Sequence, residues 1–388
     1  MPPRFARPNP GRDLELQVAE RVLRRADRDH PADAVLREVL RGERGLIPAD
    51  LSDISRAVFS YYRWLGWLDV RQPHPRQIEK ALQLADRFAQ DPQSFSDLEL
   101  LARGVPSWLE AEMRISAAWV RALQSEPKLW LRARAGQGSA LAERLGDCRP
   151  FGAGPLSDTL EYRGRQDLFR TPSFHNGEFE LQDISSQAVG LVCAPQPGQT
   201  WWDACAGEGG KLLHLSDLMQ NRGLIWASDR AAWRLQKLKR RTARARVFNY
   251  RPAAWDGGPK QPTRTRFDGV LIDAPCSGIG TWQRNPHARW TTSPQAVCEL
   301  SELQSGLLAH AAPAVKPGGK LVYAVCALTR SETEEVAAGF EKRCPEFQPL
   351  PLRNPLDQGA ASSARLYLWP QQSGGNGMFI AAWTRKAA

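Results

Sequence analysis

Between Leu14 and Trp67 apolar residues recur at helical spacing. Leu16, Val18, Val22 and Leu23 form one stripe, and Val35, Leu36, Val39 and Leu40 form a second that opens at Pro31, a residue suited to helix starts. Ser55 to Leu68 predicts a third, aromatic-rich helix and Pro75 to Gln90 a fourth, before a polar stretch from Asp91 to Ser96. The texture changes from Trp108 to about Thr171. There a helix ending near Ser125 gives way to short apolar runs such as Leu129 to Leu131, then to turn residues including Gly152, Gly154 and Pro155. From Phe179 onward short apolar runs alternate with helical stretches. The runs Thr200 to Asp203, Leu224 to Ser228, Gly269 to Ile272 and Lys320 to Val325 predict four strands, with a helix over Ala231 to Ala245 between the second and third. A Gly-rich loop from Gln371 to Gly377 precedes a last strand, Met378 to Trp383.

Strands alternating with helices predict βαβ units, a mostly parallel sheet and an α/β fold. The expected organisation is a helical domain over 1–105, a small α+β domain over 106–175 and the α/β domain over 176–388. Open parallel sheets bind ligands at the carboxyl ends of their strands. Four chemically unusual tails follow the four strands, so they are expected to meet at one edge.

The formal net charge of +10 and a pI near 9.5 favour a polyanionic partner without specifying a fold. Arg21, Arg24, Arg25, Arg28, Arg37, Arg41 and Arg44 lie between the apolar stripes. They read either as a solvated helix face or as a surface for phosphates. The seven cysteines include no C-x-x-C pair and no Cys/His cluster with zinc spacing. Reduced thiols, no metal and a cytoplasmic protein are expected. Met1 to Gly11 has no apolar core of a signal peptide, and no run of 18 apolar residues occurs, so no membrane association is expected.

Asp203-Ala-Cys-Ala-Gly-Glu-Gly-Gly-Lys211 follows the first strand. Its glycines allow the backbone close to a ligand and into a helix, but it is neither G-x-G-x-x-G nor a P-loop. Asp229 ends the next strand, where Rossmann-like folds place the acid that binds ribose hydroxyls. Asp229 also suits the capping of the helix that follows. Together the two features predict a nucleoside-containing cofactor. Val270 to Ile272 then deliver Asp273, Pro275 and Cys276 to the same edge, and Leu321 to Val325 deliver Cys326. A lone buried cysteine is usually a small apolar residue. Two thiols at the ends of two strands favour chemistry.

The residues from Phe179 to the end resemble the Sun (Fmu), RsmB-type family of RNA cytosine-5 methyltransferases. The resemblance is carried by Gln182-Asp-Ile-Ser-Ser-Gln187, by Cys205 to Lys211 against the family's Cys-Ala-Ala-Pro-Gly-Gly-Lys, and by Asp273-Ala-Pro-Cys-Ser-Gly278. Arg284-Asn-Pro-His-Ala-Arg-Trp290, Pro317 to Cys326 and Gly377-Met-Phe-Ile-Ala381 extend it. It implies a Rossmann-like S-adenosylmethionine-dependent methyltransferase domain. The preceding parts resemble, in pattern, a NusB-like RNA-binding domain and a small linking domain. By resemblance Cys326 is the nucleophile, Cys276 promotes proton removal and release, Asp273 bonds the cytosine ring and Lys211 assists near the base. The implied cofactor residues are Cys205, Ala206, Gly207, Glu208, Gly209, Gly210, Lys211, Asp229, Arg234, Asp256 and Asp273.

The chemistry explains a cysteine pair. Carbon 5 of cytosine is a poor nucleophile until a thiolate adds to carbon 6. A base must then remove the carbon 5 proton before the thiol can leave. Three departures stand out: Ala206-Gly207-Glu208 in the loop, Val325 and Ala327 around the nucleophile in place of hydroxyl residues, and Trp201-Trp202 before the loop. The thiolate's activation must therefore come from elsewhere. The expected substrate is structured RNA, small-subunit ribosomal RNA ahead of transfer RNA. Trp282, Trp290 and Trp369 are candidate stacking surfaces, with core packing the first expectation for any one of them. A monomer is expected. An idle RNA-binding assembly factor is the competing class. A DNA cytosine methyltransferase is disfavoured because no Glu-Asn-Val segment follows Cys276.

Overall fold

The computed structural model of the chain describes residues 10–43 and 45–387. Arg44 and most of the Met1 to Gly11 segment lie outside the described residues. The chain divides into two compact units. One comprises residues 1–126 with 281–294, the other residues 127–280 with 295–388.

The first unit is helical: α1 (Pro10–Arg25), α2 (Ala32–Gly42), α3 (Pro48–Arg63), α4 (His74–Gln90), α5 (Asp97–Arg103) and α6 (Ala117–Gln124). The expected stripes form its core, with Val18, Val22, Val35, Leu36 and Val39 buried beside Ile54 and Val58. Helix α3 starts seven residues before Ser55, where Asp50 accepts the Ile47 N–H at 2.9 Å, a side-chain cap of the kind that satisfies an orphan donor. Several arginines between the stripes face carboxylates: Arg21 pairs with Glu43, Arg24 with Glu20, Arg25 with Glu38 and Arg37 with Asp33. Those four are a self-paired helix face.

The segment 281–294 returns from the middle of the chain to this unit and carries the short helix α12 (Ala288–Thr291). Arg289 is fully buried and donates to the carbonyls of Arg63, Gly104 and Leu123 at 2.9–3.3 Å. Trp282 is fully buried and stacks on Trp119. Trp290 Nε1 donates to the Tyr62 carbonyl at 2.6 Å. Core packing, the first expectation for these residues, is what Trp282 and Trp290 do in the helical unit, drawn in by their large apolar area; the alternative of a stacking surface is not realised at either. Trp369, in the second unit, is half-buried and stacked on Tyr367.

The second unit holds two sheets. The smaller is antiparallel, in the order β2 (Cys148–Pro150), β3 (Thr159–Tyr162), β1 (Leu129–Ala133), β4 (Phe179–Leu181), with α7 (Gly138–Leu145) and α8 (Pro172–His175) beside it. The unit boundary falls after Glu126 rather than at 105, because α5 and α6 pack with each other among the helices. The fourth strand, β4, comes from residues expected in the α/β domain.

The larger sheet carries the chemistry. Its strands are β5 (Thr200–Asp203), β6 (Leu224–Asp229), β7 (Tyr250–Ala254), β8 (Phe267–Asp273), β9 (Val315–Val325), β10 (Phe347–Pro349), β11 (Arg365–Leu368) and β12 (Met378–Arg385). The order is β10-β12-β9-β8-β5-β6-β7, with β11 paired to β12. Strands β5 to β9 are parallel, and β12 runs antiparallel to β9. Helices α9 (Ile184–Cys193), α10 (Gly210–Leu218), α11 (Ala232–Arg244), α13 (Pro294–Ala311), α14 (Glu334–Arg343) and the short α15 (Pro370–Ser373) accompany this sheet. This is the expected Rossmann-like architecture with a helical N-terminal unit. Trp201, unusual before the loop, is buried and packs across Gly269, where a Cβ would sit 2.3 Å from its ring.

Candidate functional site

The carboxyl ends of β5, β6, β8 and β9 converge on one cavity of about 420 Å³, a size that suits a nucleoside-sized ligand. Each end is delivered by a strand whose interior is buried from both faces, so the first polar residue after it emerges at the edge. Cys205, Ala206, Gly207, Glu208, Gly210, Lys211, Asp229, Arg234, Asp256, Asp273, Cys276 and Cys326 all line it. Gly209 does not. It occupies the left-handed region at φ 89° as α10 begins, with its missing Cβ against Leu238. Its contribution is the turn itself.

Asp229 accepts the Gly207 N–H of the loop after β5 at 3.1 Å and the Ala231 N–H at 2.8 Å. It lines the cavity, while the N-cap of α11 is Ala231 without a side-chain cap bond, so the bond from Asp229 lies just ahead of the helix rather than capping it. The Arg234 guanidinium lies 3.8 Å away. The Glu208 carboxylate pairs with Lys237 at 2.7 Å and its carbonyl accepts from Arg241. The extra charge in the loop is therefore tied to α11. Asp256 accepts the Gly258 N–H at 2.9 Å.

At the other end of the cavity Lys211 Nζ donates to Asp273 at 2.5 Å. Burial works against the lysine's charge, but Asp273, by charge and hydrogen bond, holds its pKa above the usual value. The two thiols meet: Cys276 Sγ lies 3.2 Å from Cys326 Sγ. With Cys276 as donor its hydrogen bond lowers Cys326; burial opposes this and the Lys211 charge assists. Cys276 moves up, first through the same bond, then through burial. Cys205 also lines the cavity, and burial, then Asp203, raise its thiol well above the ordinary range. Val325 and Ala327 are fully buried. The neighbours that favour the thiolate are a second thiol and a lysine, not hydroxyls beside it in sequence.

Several lining residues escaped the sequence reading: Ser186, Arg230, Trp255, Leu303 and Leu307. Ser186 stands within the Gln182–Gln187 motif and was findable there. Leu303 and Leu307 come from α13 and carried no local signal. The buried Glu332 was also missed, six residues after Cys326.

The family model for the 16S rRNA methyltransferase RsmB/F matches residues 190–384, about half of the chain. The chain belongs to the RsmB/F family. A probable ribosomal RNA small subunit methyltransferase B from Synechocystis is 38% identical over 222 residues, 55% of this chain and 49% of that protein. The chain thus spans about half the length of that relative. A ribosomal RNA small subunit methyltransferase B from Cronobacter sakazakii is 30% identical over 319 residues, 78% of this chain and 69% of that one. The crystal structure of PH0851 superposes with a TM-score of 0.77 over 98% of this chain and 100% of that chain, at 23% identity, a likeness of fold. Membership of the RsmB/F family brings with it S-adenosylmethionine as cofactor, and the residues present fit it. Asp229 sits at the end of the second parallel strand, where a ribose is bound in such sheets, and the loop from Cys205 to Lys211 leaves its backbone exposed to the cavity. Among the described residues no helix is long and apolar enough to cross a membrane.

Proposed function

We propose that the chain is an RNA cytosine-5 methyltransferase acting on small-subunit ribosomal RNA through the paired thiols Cys326 and Cys276. The observation that carries this reading is the 3.2 Å approach of the two thiols beside the Lys211–Asp273 pair. S-adenosylmethionine, when bound by the loop from Cys205 to Gly210, Asp229, Arg234 and Asp256, supplies an electrophilic methyl group on sulfur. The Cys326 thiolate adds to carbon 6 of the base and turns carbon 5 into the nucleophile. Asp273 and Lys211 are proposed to hydrogen-bond the ring and spread the charge that develops on it, a role supported by their pairing beside the thiols. Carbon 5 takes the methyl as the methyl–sulfonium bond breaks; Cys276, once deprotonated, accepts the carbon 5 proton, and the electron pair of that carbon–hydrogen bond expels Cys326 from carbon 6 as the thiolate. Ribosomal RNA is favoured over transfer RNA by the names of the Synechocystis and Cronobacter relatives. The target base must leave its stack to reach thiols at the sheet edge. The helical unit is proposed to add RNA contacts, and the enzyme to act as a monomer.

The test separates the two cysteines. Cys326→Ala is expected to abolish methyl incorporation into a small-subunit ribosomal RNA transcript without forming an adduct. Cys276→Ala is expected to leave a covalent RNA–protein adduct that survives denaturing electrophoresis. Adduct trapping by Cys326→Ala instead would reverse the roles. Cofactor binding with no methylation of any RNA would favour the idle assembly factor.

A further inference from the structure

We infer that Glu332 is a positioning residue that holds the Cys276 turn in place for the release step, an inference that rests on the roles proposed for the two cysteines. Glu332 is fully buried. A buried carboxylate without partners costs several kcal/mol, and one with every lone pair occupied makes a rigid node. Glu332 is such a node. Its Oε1 accepts the Ser277 N–H at 2.8 Å and Gln304 Nε2 at 3.0 Å. Its Oε2 accepts Ser277 Oγ at 2.5 Å and Thr329 Oγ1 at 2.8 Å.

The second partner, Gln304 of α13, also donates Nε2 to the Pro275 carbonyl at 2.9 Å. The residues on either side of Cys276 are thus both fixed, one by Glu332 and one by Gln304. That fixes the backbone from which the Cys276 Cβ projects. The same node reaches the other thiol. Tyr323, three residues before Cys326 on β9, places its hydroxyl 2.9 Å from Gln304 Oε1 and 2.7 Å from the Glu332 carbonyl. Thr329 and Glu332 both follow Cys326 in the chain. One buried cluster therefore grips the turn of one cysteine and the strand of the other.

The geometry this protects is demanding. A thiol that removes or relays a proton must keep its sulfur at a set place against the base, and a shift of about 1 Å can cost about 100-fold in rate. Glu332 lies outside the set of cavity-lining residues; its grip reaches the site through Ser277 and Cys276, and its charge in addition raises both thiols. Loss of its grip loosens Cys276 more than Cys326, because β9 keeps its own pairing with β8 and β12 on both sides.

The experiment compares Glu332→Ala, Glu332→Gln and Gln304→Met with the wild type and Cys276→Ala, using a small-subunit ribosomal RNA transcript with labelled cofactor. Turnover, KM for RNA and the fraction of enzyme in denaturation-resistant adduct are measured together. Glu332→Ala is expected to lower kcat at least 10-fold with KM little changed, and to raise the adduct fraction several-fold toward the level of Cys276→Ala. Glu332→Gln is expected to recover kcat to within about threefold, since its amide oxygen can accept from the Ser277 N–H and Gln304 while its amide nitrogen donates to the two hydroxyls. Gln304→Met removes the other hold on the turn and is expected to show the same signature more weakly, which keeps the test available if Glu332→Ala folds poorly. A fall in turnover with adduct at the wild-type level in both Glu332→Ala and Gln304→Met overturns the inference and leaves the cysteine roles standing. Absence of adduct in Cys276→Ala itself overturns those roles, and the inference with them.

Discussion

Asp203 and Asp273 end neighbouring parallel strands, β5 and β8, at the same edge of the same sheet. Their chemistry is opposite. Asp273 has Lys211 Nζ at 2.5 Å and opens onto the cavity. Asp203 is fully buried, and its carboxylate has no full hydrogen-bond partner among the described residues. Burial, then the nearby charge of Asp273, push its pKa up to about 8, against help from Lys211 and the Cys205 amide. Position in a sheet predicts that an acid reaches the ligand edge. It does not predict which acid finds a partner there. One lysine, reached through the turn after Gly209, pairs with Asp273, while burial first and the Asp273 charge next keep Asp203 protonated at neutral pH.

The strongest way to break the contrast is to remove that lysine. Lys211→Met leaves Asp273 without its partner and Cys326 without its nearby cation. Turnover is expected to fall about 100-fold or more, the scale of losing one preorganised charge at a reacting centre. A kcat within tenfold of wild type would show that the pairing is incidental.

Asp203→Asn sharpens the other half. Its expected effect is on stability rather than turnover. In the folded protein Asp203 holds its proton up to about pH 8, while an unfolded Asp loses it near pH 4. Between those values the folded state binds the extra proton, so this residue's contribution falls as pH rises, by at most about 1.4 kcal/mol per pH unit. The asparagine variant has no such proton to lose. Chemical unfolding at pH 5.5 and 7.5 is expected to show the wild type losing stability relative to Asp203→Asn. Parallel behaviour of the two proteins would mean that Asp203 is ionised and partnered.

The smallest effect is expected at the exposed carboxylate of the same loop. Glu208→Ala breaks the pair with Lys237, in which both side chains are about half exposed. Such pairs contribute about 0.2–1 kcal/mol, so a shift in unfolding midpoint larger than this implies a further role for Glu208.

Much of this was legible in the sequence, and physical reasons separate what was from what was not. Strand β5 and the end of β9 were readable because their residues are buried from both sides and carry continuous apolar runs. Strand β7 was not. It lies at the sheet edge, holds Pro252 and is only half-buried, so it shows neither alternation nor an apolar run. Asp229, Asp273, Cys276 and Cys326 followed from strand ends, whereas Asp256, after the unread β7, came only from the family resemblance. The grip of Glu332 on Ser277 did not, because it joins residues 55 positions apart. The segment Arg284 to Trp290 resembled a substrate-side stretch, yet the Arg289 terminal nitrogens and the Trp290 indole N–H donate to carbonyls of the helical unit. Sequence shows that a charged residue is present, not whether water, RNA or three carbonyls will solvate it.

The return of residues 281–294 to the helical unit has a consequence for how this architecture can be inherited. The chain passes between its two units three times, after Glu126, after Gly280 and after Pro294. A helical part joined by one linker can be exchanged between genes as a contiguous block. This one cannot, since a cut after Glu126 separates Trp119 from Trp282 and removes the carbonyl acceptors of Arg289. The two units are therefore expected to have diverged together, with changes in α3 and α6 matched by changes in a 14-residue stretch that lies just beyond the Cys276 turn.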